Sequence, residues 1–283
     1  MKYYDPYFLE NCMIAEGRRK RPHIDKNTQD CPFCLAQEGV IILDNAYPIA
    51  DKTTKLYGRH DVVVDTPMHH ALPKDFSEKC WEEILIKIHK RWQVLSQDEQ
   101  VKFIQVFKNY GACGGASISH SHWQILALGS VPDAMQLQYQ HYASYDMGKK
   151  CYLCTCLQST TYCILETTYW KIYSPKAPRF AYEVLLIPKV HYHHYGELPM
   201  AVLKEGASLL KRVLMAYDVL EPNCAYNICM MGSDLQVTTN YHFHIKVAMR
   251  LGNMAGFEVA TGCFINMISP IHAVEKLRTL LKE

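Results

Sequence analysis

His120, His122 and Gln124 fall at every second position near the end of the stretch Gly111-Ala-Cys-Gly-Gly-Ala-Ser-Ile-Ser-His-Ser-His-Trp-Gln-Ile-Leu-Ala-Leu128, and their types and spacing could do chemistry. In an extended segment, residues two apart face the same way, so the three side chains stand in one row with Ser121 and Trp123 behind them. Such a row is costly on a buried strand unless each member has a partner, and three satisfied core polar groups are the plain alternative. A neutral imidazole is a nucleophile toward activated phosphorus, and a covalent intermediate divides one hard displacement into two easier ones. His122 is the candidate for that role, its other ring nitrogen donating to a backbone carbonyl to fix the tautomer. Gln124 offers an amide donor to charge developing on a transferred phosphoryl group. Upstream, Asn109, Gly111, Gly114, Gly115 and Ser117 can bring amides and a hydroxyl close to phosphate oxygens, an approach that only small residues permit.

A second chemistry is metal binding. Cys31-Pro-Phe-Cys34 has the spacing of a knuckle that presents two thiolates to one ion, and His69 and His120 complete a set of two Cys and two His. Cys151, Cys154, His191 and His242 repeat the set. Four protein ligands of these types match tetrahedral zinc in a closed, structural site, giving one or two zinc ions per chain. His70 competes with His69, and His193 and His194 compete with His191, for the third ligand position. The other cysteines lack this spacing and read as buried, inert thiols.

The elements that must hold these residues also come in two sets. Cys31 and Cys34 recur 120 residues later, and His69, His120 and His122 recur 122 residues later as His191, His242 and His244. A fixed offset across matched positions is the mark of internal duplication. The expected boundaries are 1–145 and 146–283. In the first half, strands are expected near 40–43, 61–65 and 101–107, with a helix over 76–95 capped by Ser77. In the second, strands are expected over 182–188 and 225–230, a helix over 201–220 and a closing helix from Pro270. The second half lacks the small-residue run before His242, and Lys246 stands where glutamine stood, so His244 reads as structural.

Composition narrows the classes. The chain has 283 residues, 49% hydrophobic and 20% charged, with a net charge of +2. That describes a globular protein with ample core material and no field suited to nucleic acid or an anionic membrane. No window approaches the roughly 20 apolar residues of a membrane span, and the N-terminus has no secretory apolar core. Twelve cysteines are then expected to be reduced, in a cytoplasmic protein.

Cys31–Cys34, Asn109 through Gln124, Tyr241-His-Phe-His244 and Ala255 through Asn266 together resemble the galactose-1-phosphate uridylyltransferase family of the histidine-triad superfamily. The His-Ser-His-Trp-Gln variant and the second Cys-x-x-Cys are closer to its ADP-glucose phosphorylase branch than the usual His-Pro-His-Gly-Gln. The resemblance covers nearly the whole chain. It implies an α+β fold of tandem histidine-triad-like halves, each a mostly antiparallel sheet with packed helices, and a homodimer. It implies ping-pong transfer of a nucleoside monophosphate from a nucleotide sugar to a sugar 1-phosphate, with His122 as nucleophile and Gln124 as its phosphate-binding partner. By motif match, Asn45 lies near the nucleotide, Asn109 and Ser117 hold phosphates, and Phe257 and Glu258 contact substrate, reaching across the dimer. Trp123 in place of glycine is expected to crowd the back of the strand. Two other readings stay open: a phosphorylase that uses inorganic phosphate as acceptor, and a noncatalytic, zinc-stabilised nucleotide-binding protein.

Overall fold

The fold is a computed structural model that describes residues 2–5, 10–13, 31–34, 39–44, 58–145, 151–236 and 240–282. Lys2–Asp5 (β1) and Glu10–Met13 (β2) form a small antiparallel pair. A nine-stranded sheet holds the rest of the described strands. Residues before 145 supply Ile41–Asp44 (β3), Gly58–Val64 (β4), Phe103–Tyr110 (β5) and His122–Leu128 (β6). Residues after 151 supply Cys163–Glu166 (β7), Trp170–Tyr173 (β8), Val184–Pro188 (β9), Ala225–Met231 (β10) and His244–Arg250 (β11). The order is β3-β4-β6-β5-β10-β11-β9-β8-β7, every neighbour antiparallel. From the central β5–β10 pair outwards, both directions run through the same sequence of connections.

The helices are Glu78–Ser96 (α1), Asp133–Tyr145 (α2), Tyr152–Cys156 (α3), Met200–Leu220 (α4), Gly256–Thr261 (α5) and Pro270–Leu280 (α6). In α1, buried Trp81, Ile84, Leu85, Ile88, Trp92 and Leu95 recur at three- and four-residue spacing and form one stripe. Ser77 caps the helix by accepting from the Cys80 amide, as its position predicts. α1 packs beside α4, and both lie over the sheet face that carries Val106, Trp123, Ile125, Leu186, Ile228 and Val247. Trp123 is therefore not a crowded substitute for glycine. It is fully buried, edge-on to Trp81 at 6.4 Å, and fills the core between strand and helix.

Three local expectations change. The strand expected to end near residue 107 continues to Tyr110, because β10 pairs with it as far as Tyr226 opposite Tyr110. Asn109 thus lies within β5, just ahead of the glycine-rich loop. The second Cys-x-x-Cys begins the short helix α3, whereas the first is a turn closed by the Cys34 amide on the Cys31 carbonyl. α2 and the strands β7 and β8, where sequence periodicity is weak, emerge only in the fold.

Candidate functional site

The polypeptide reaches β6 through a hairpin anchored from both sides. Its approach, residues 111–121, is a set of tight turns. The Gly114 amide donates to the Gly111 carbonyl at 3.1 Å, Gly115 to Ala112 at 2.9 Å and Ala116 to Gly111 at 3.1 Å. A Cβ on Gly114 would lie 2.2 Å from the Tyr110 carbonyl oxygen, so no larger residue fits there. These bonds correct one expectation: the amides of Gly114, Gly115 and Ala116 are spent within the loop and cannot all serve phosphate. Gly115, at φ +79°, instead supplies the turn and open space, with nothing within 4 Å of where a Cβ would stand. The loop lines a cavity of about 700 Å³ together with His69, Asn109, Ser117 and His120.

The first metal set is assembled. Cys31, Cys34, His69 and His120 bring one ligand atom each to within 4.8 Å of one another. Cys34 Sγ is 3.2 Å from His69 Nδ1, and both cysteine sulfurs are 3.6 Å from His120 Nδ1. Tetrahedral zinc with bonds of about 2.3 Å to sulfur and 2.0–2.1 Å to nitrogen separates such atoms by roughly 3.5 Å. The His120 Nε2 donates to the Thr66 carbonyl at 2.7 Å, which leaves Nδ1 as a lone pair facing the thiols. The second set, Cys151, Cys154, His191 and His242, repeats the geometry. There Cys154 Sγ is 3.3 Å from His191 Nδ1 and 3.4 Å from His242 Nδ1, and the His242 ring donates to the Pro188 carbonyl at 3.0 Å. The donor types, spacings and tautomers all fit zinc. Both sets also choose between neighbours, taking His69 over His70 and His191 over His193 and His194.

β6 proper starts at His122, while His120 sits in the approach and turns its ring to the cysteines. His122 donates from Nδ1 to the His120 carbonyl at 2.8 Å, the tautomer expected of a nucleophile, and its Nε2 has no hydrogen bond among the described residues. Burial lowers its pKa to about 4, aided by the nearby Lys108 charge and opposed by the carbonyl bond, so the ring is neutral at ordinary pH. It is 7% exposed, on the sheet face away from α1 and α4, beneath the Phe33 ring at 5.0 Å. Two sequence positions along the same face, Gln124 accepts on Oε1 from His60 Nε2 at 3.0 Å, and its NH₂ donates to none of the described residues. His60 was missed in the sequence, where nothing local marks it: it reaches Gln124 only because β4 pairs with β6.

Other expected residues are not brought together. His122 and Gln124 do not line the large cavity, which opens beside them on the side of His69 and Ser117. Asn45 lies outside the described residues. Glu258 lines a different cavity of about 310 Å³, with Arg179, Phe180 and Asn266, and its carboxylate accepts from the Ala255 amide at 3.1 Å. Phe257 beside it is half exposed. In the second half, His244 copies the His122 bond, donating to the His242 carbonyl at 3.0 Å. It is enclosed by Tyr241, against which Tyr139 and Tyr142 of α2 pack at 5.1 and 4.9 Å. Lys246, in the place of glutamine, lies 3.6 Å from Glu183. Among the described residues, no helix is long and apolar enough to cross a membrane.

Residues 12–131 match a family described as the N-terminal domain of a domain of unknown function, DUF4931. The chain is similar to ADP-glucose phosphorylase of Arabidopsis thaliana, 28% identical over 97% of this chain and 91% of that one. It is also similar to galactose-1-phosphate uridylyltransferase of Thermotoga maritima, 27% identical over 97% of this chain and 96% of that one. A crystal structure of the Arabidopsis ADP-glucose phosphorylase with bound ADP-glucose superposes with a TM-score of 0.82 at 28% identity, covering 98% of this chain and 97% of that one.

Proposed function

We propose, from the premise that this chain is kin to the galactose-1-phosphate uridylyltransferases and ADP-glucose phosphorylase, that it is a nucleotidyltransferase working through His122. The observation that carries this is the His122 ring itself: neutral, held by the His120 carbonyl, with Nε2 unbonded among the described residues and Gln124 two positions along the same strand face. The Nε2 lone pair attacks the α-phosphorus of a nucleotide sugar, and the bond from that phosphorus to the bridging oxygen breaks. The sugar 1-phosphate leaves with the electron pair. An oxygen of the acceptor phosphate then attacks the same phosphorus, the P–N bond breaks, and His122 returns to its starting state. Gln124 donates to the non-bridging oxygens as their charge grows, while Asn109 and Ser117 hold the neighbouring phosphate.

Zinc in the Cys31, Cys34, His69 and His120 set would hold rigid the strand approach that carries His122, and the set from Cys151 to His242 would do the same for β11. With four protein ligands each, neither is required to touch substrate. The two halves, 1–145 and 146–283, are read as copies of one unit, supported by the matched strand order on either side of the β5–β10 pair. A homodimer is supported by the exposed apolar side chains of Phe257, Val259, Ile265 and Met267, which a partner subunit would cover. Many reduced cysteines support a cytoplasmic location.

Two acceptors fit the same chemistry, a hexose 1-phosphate and inorganic phosphate, and kinship to an ADP-glucose phosphorylase favours testing the second with adenine as well as uracil donors. Incubation with UDP-glucose or ADP-glucose labelled at the α-phosphorus should leave label on His122, and none on His122→Asn. Equal labelling of both proteins would overturn the assignment. Release of that label by phosphate or by a hexose 1-phosphate then separates the two activities.

A further inference from the structure

Asn227 stands directly opposite Asn109 where β10 meets β5, the seam between the two halves. Its amide is fully committed. Nδ2 donates to the Gly114 carbonyl at 2.7 Å and to Asn109 Oδ1 at 2.8 Å, and Oδ1 accepts from Arg250 Nη1 at 2.7 Å. Chemistry leaves no other orientation. A guanidinium has no acceptor, so the Asn227 atom facing Arg250 must be oxygen. A backbone carbonyl has no donor, so the Asn227 atom facing Gly114 must be nitrogen. The same nitrogen faces Asn109, which must therefore turn its oxygen inward. The Asn109 NH₂ is left without a hydrogen bond among the described residues, on the wall of the glycine-loop cavity.

We propose that Asn227 is a positioning residue: it fixes the polarity of Asn109 so that the first half offers an N–H donor, and not a carbonyl oxygen, to the phosphate of the nucleotide. The inference rests on the reading above, in which Asn109 holds phosphate. An unconstrained asparagine can present either end of its amide, and one end repels an anion. Pre-setting the donor removes that wrong state before substrate arrives. The second half thus contributes to the site without supplying a nucleophile. Its contribution extends outwards, because Arg250 lies under the Phe180 ring at 4.4 Å and Asn266 donates to the Phe180 carbonyl at 2.9 Å. The segment after β11 is therefore linked to the phosphate wall through four consecutive contacts.

Asn227→Asp is the sharpest test, since it keeps size and still accepts from Arg250 but cannot donate to Asn109. Asn109 should then flip to donate inward and face phosphate with oxygen. KM for the nucleotide sugar that labels wild type should rise about tenfold or more, the scale of one hydrogen bond to a charged group, with a smaller change in kcat. Combined with Asn109→Ser, the two losses should be less than multiplicative, because both act through one amide. Fully multiplicative losses, or a wild-type KM in Asn227→Asp, would overturn the proposal. If Asn227→Asp does not fold, Asn227→Ala decides instead: it removes the N–H that pins the Asn109 oxygen, so either end of the Asn109 amide can face phosphate and KM must rise, an unchanged KM overturning the idea. Absence of label on wild-type His122 would instead count against the nucleotidyltransferase reading.

Discussion

Lys108 and Asp65 form an ion pair at 2.5 Å with side chains 0% and 1% exposed, directly behind the strand that carries His122. The same ammonium donates to Ser121 Oγ at 2.7 Å and to the His122 carbonyl at 3.1 Å, and Ser121 Oγ donates to Asp65 at 2.5 Å. Sealing two charges from water costs several kcal/mol each, which only close pairing and further hydrogen bonds offset. Here those bonds all converge on residues 121 and 122. With the Cys31, Cys34 and His69 cluster meeting His120 on one side and Lys108 holding the next two residues on the other, the backbone of His122, the proposed nucleophile, is clamped at both ends.

Lys108→Met should destabilise the fold by about 3–5 kcal/mol, because it strands the Asp65 carboxylate in the core. The double change Lys108→Met with Asp65→Leu should recover most of that loss. Urea denaturation of wild type and the two variants measures both numbers, and a double variant no more stable than Lys108→Met would remove the ion-pair account.

Metal content should follow the two ligand sets separately. Elemental analysis of wild type is expected to show up to two zinc ions per chain, with Cys34→Ser and Cys154→Ser each losing one. Loss at the first set should abolish His122 labelling along with thermal stability, since it frees the approach to β6. Loss at the second should lower stability with less effect on labelling. A protein that purifies without metal yet labels at full rate would contradict the anchoring role.

His60→Phe removes the donor that orients Gln124 while keeping a ring in place. If the Gln124 NH₂ acts on developing charge, kcat should fall about tenfold while KM changes little, because the interaction matters most in the transition state. Steady-state kinetics decide it, and a variant whose only defect is a raised KM would assign His60 to ground-state binding.

Trp123→Gly, which restores the residue usual in the motif, should cost about 3–5 kcal/mol, the range for emptying a large aromatic site in a core. Its partner Trp81 is fully buried as well and stands edge-on to it at 6.4 Å, so the change removes a ring from the packed layer between helix and sheet. Thermal unfolding checks this, and a stability within about 1 kcal/mol of wild type would mean that α1 collapses onto the sheet.

The sequence alone determined the parts whose information is local: two Cys-x-x-Cys motifs, two His-x-His pairs at a constant offset, the apolar stripes of α1 and α4 and the Ser77 cap. Each is a pattern of residue types at short spacing, and short spacing maps directly onto a turn, a strand face or a helix face. Only the tertiary structure decided what those patterns meet. It chose His69 over His70, turned Trp123 from an intruder into core, and closed the loop amides of Gly114 to Ala116 on themselves. It also joined His60 to Gln124, Lys108 to Asp65 and Asn227 to Asn109, pairs between 43 and 118 residues apart in the chain. Polar partners across a sheet are set by strand order and register, and no single strand's residues specify which strand will lie beside it.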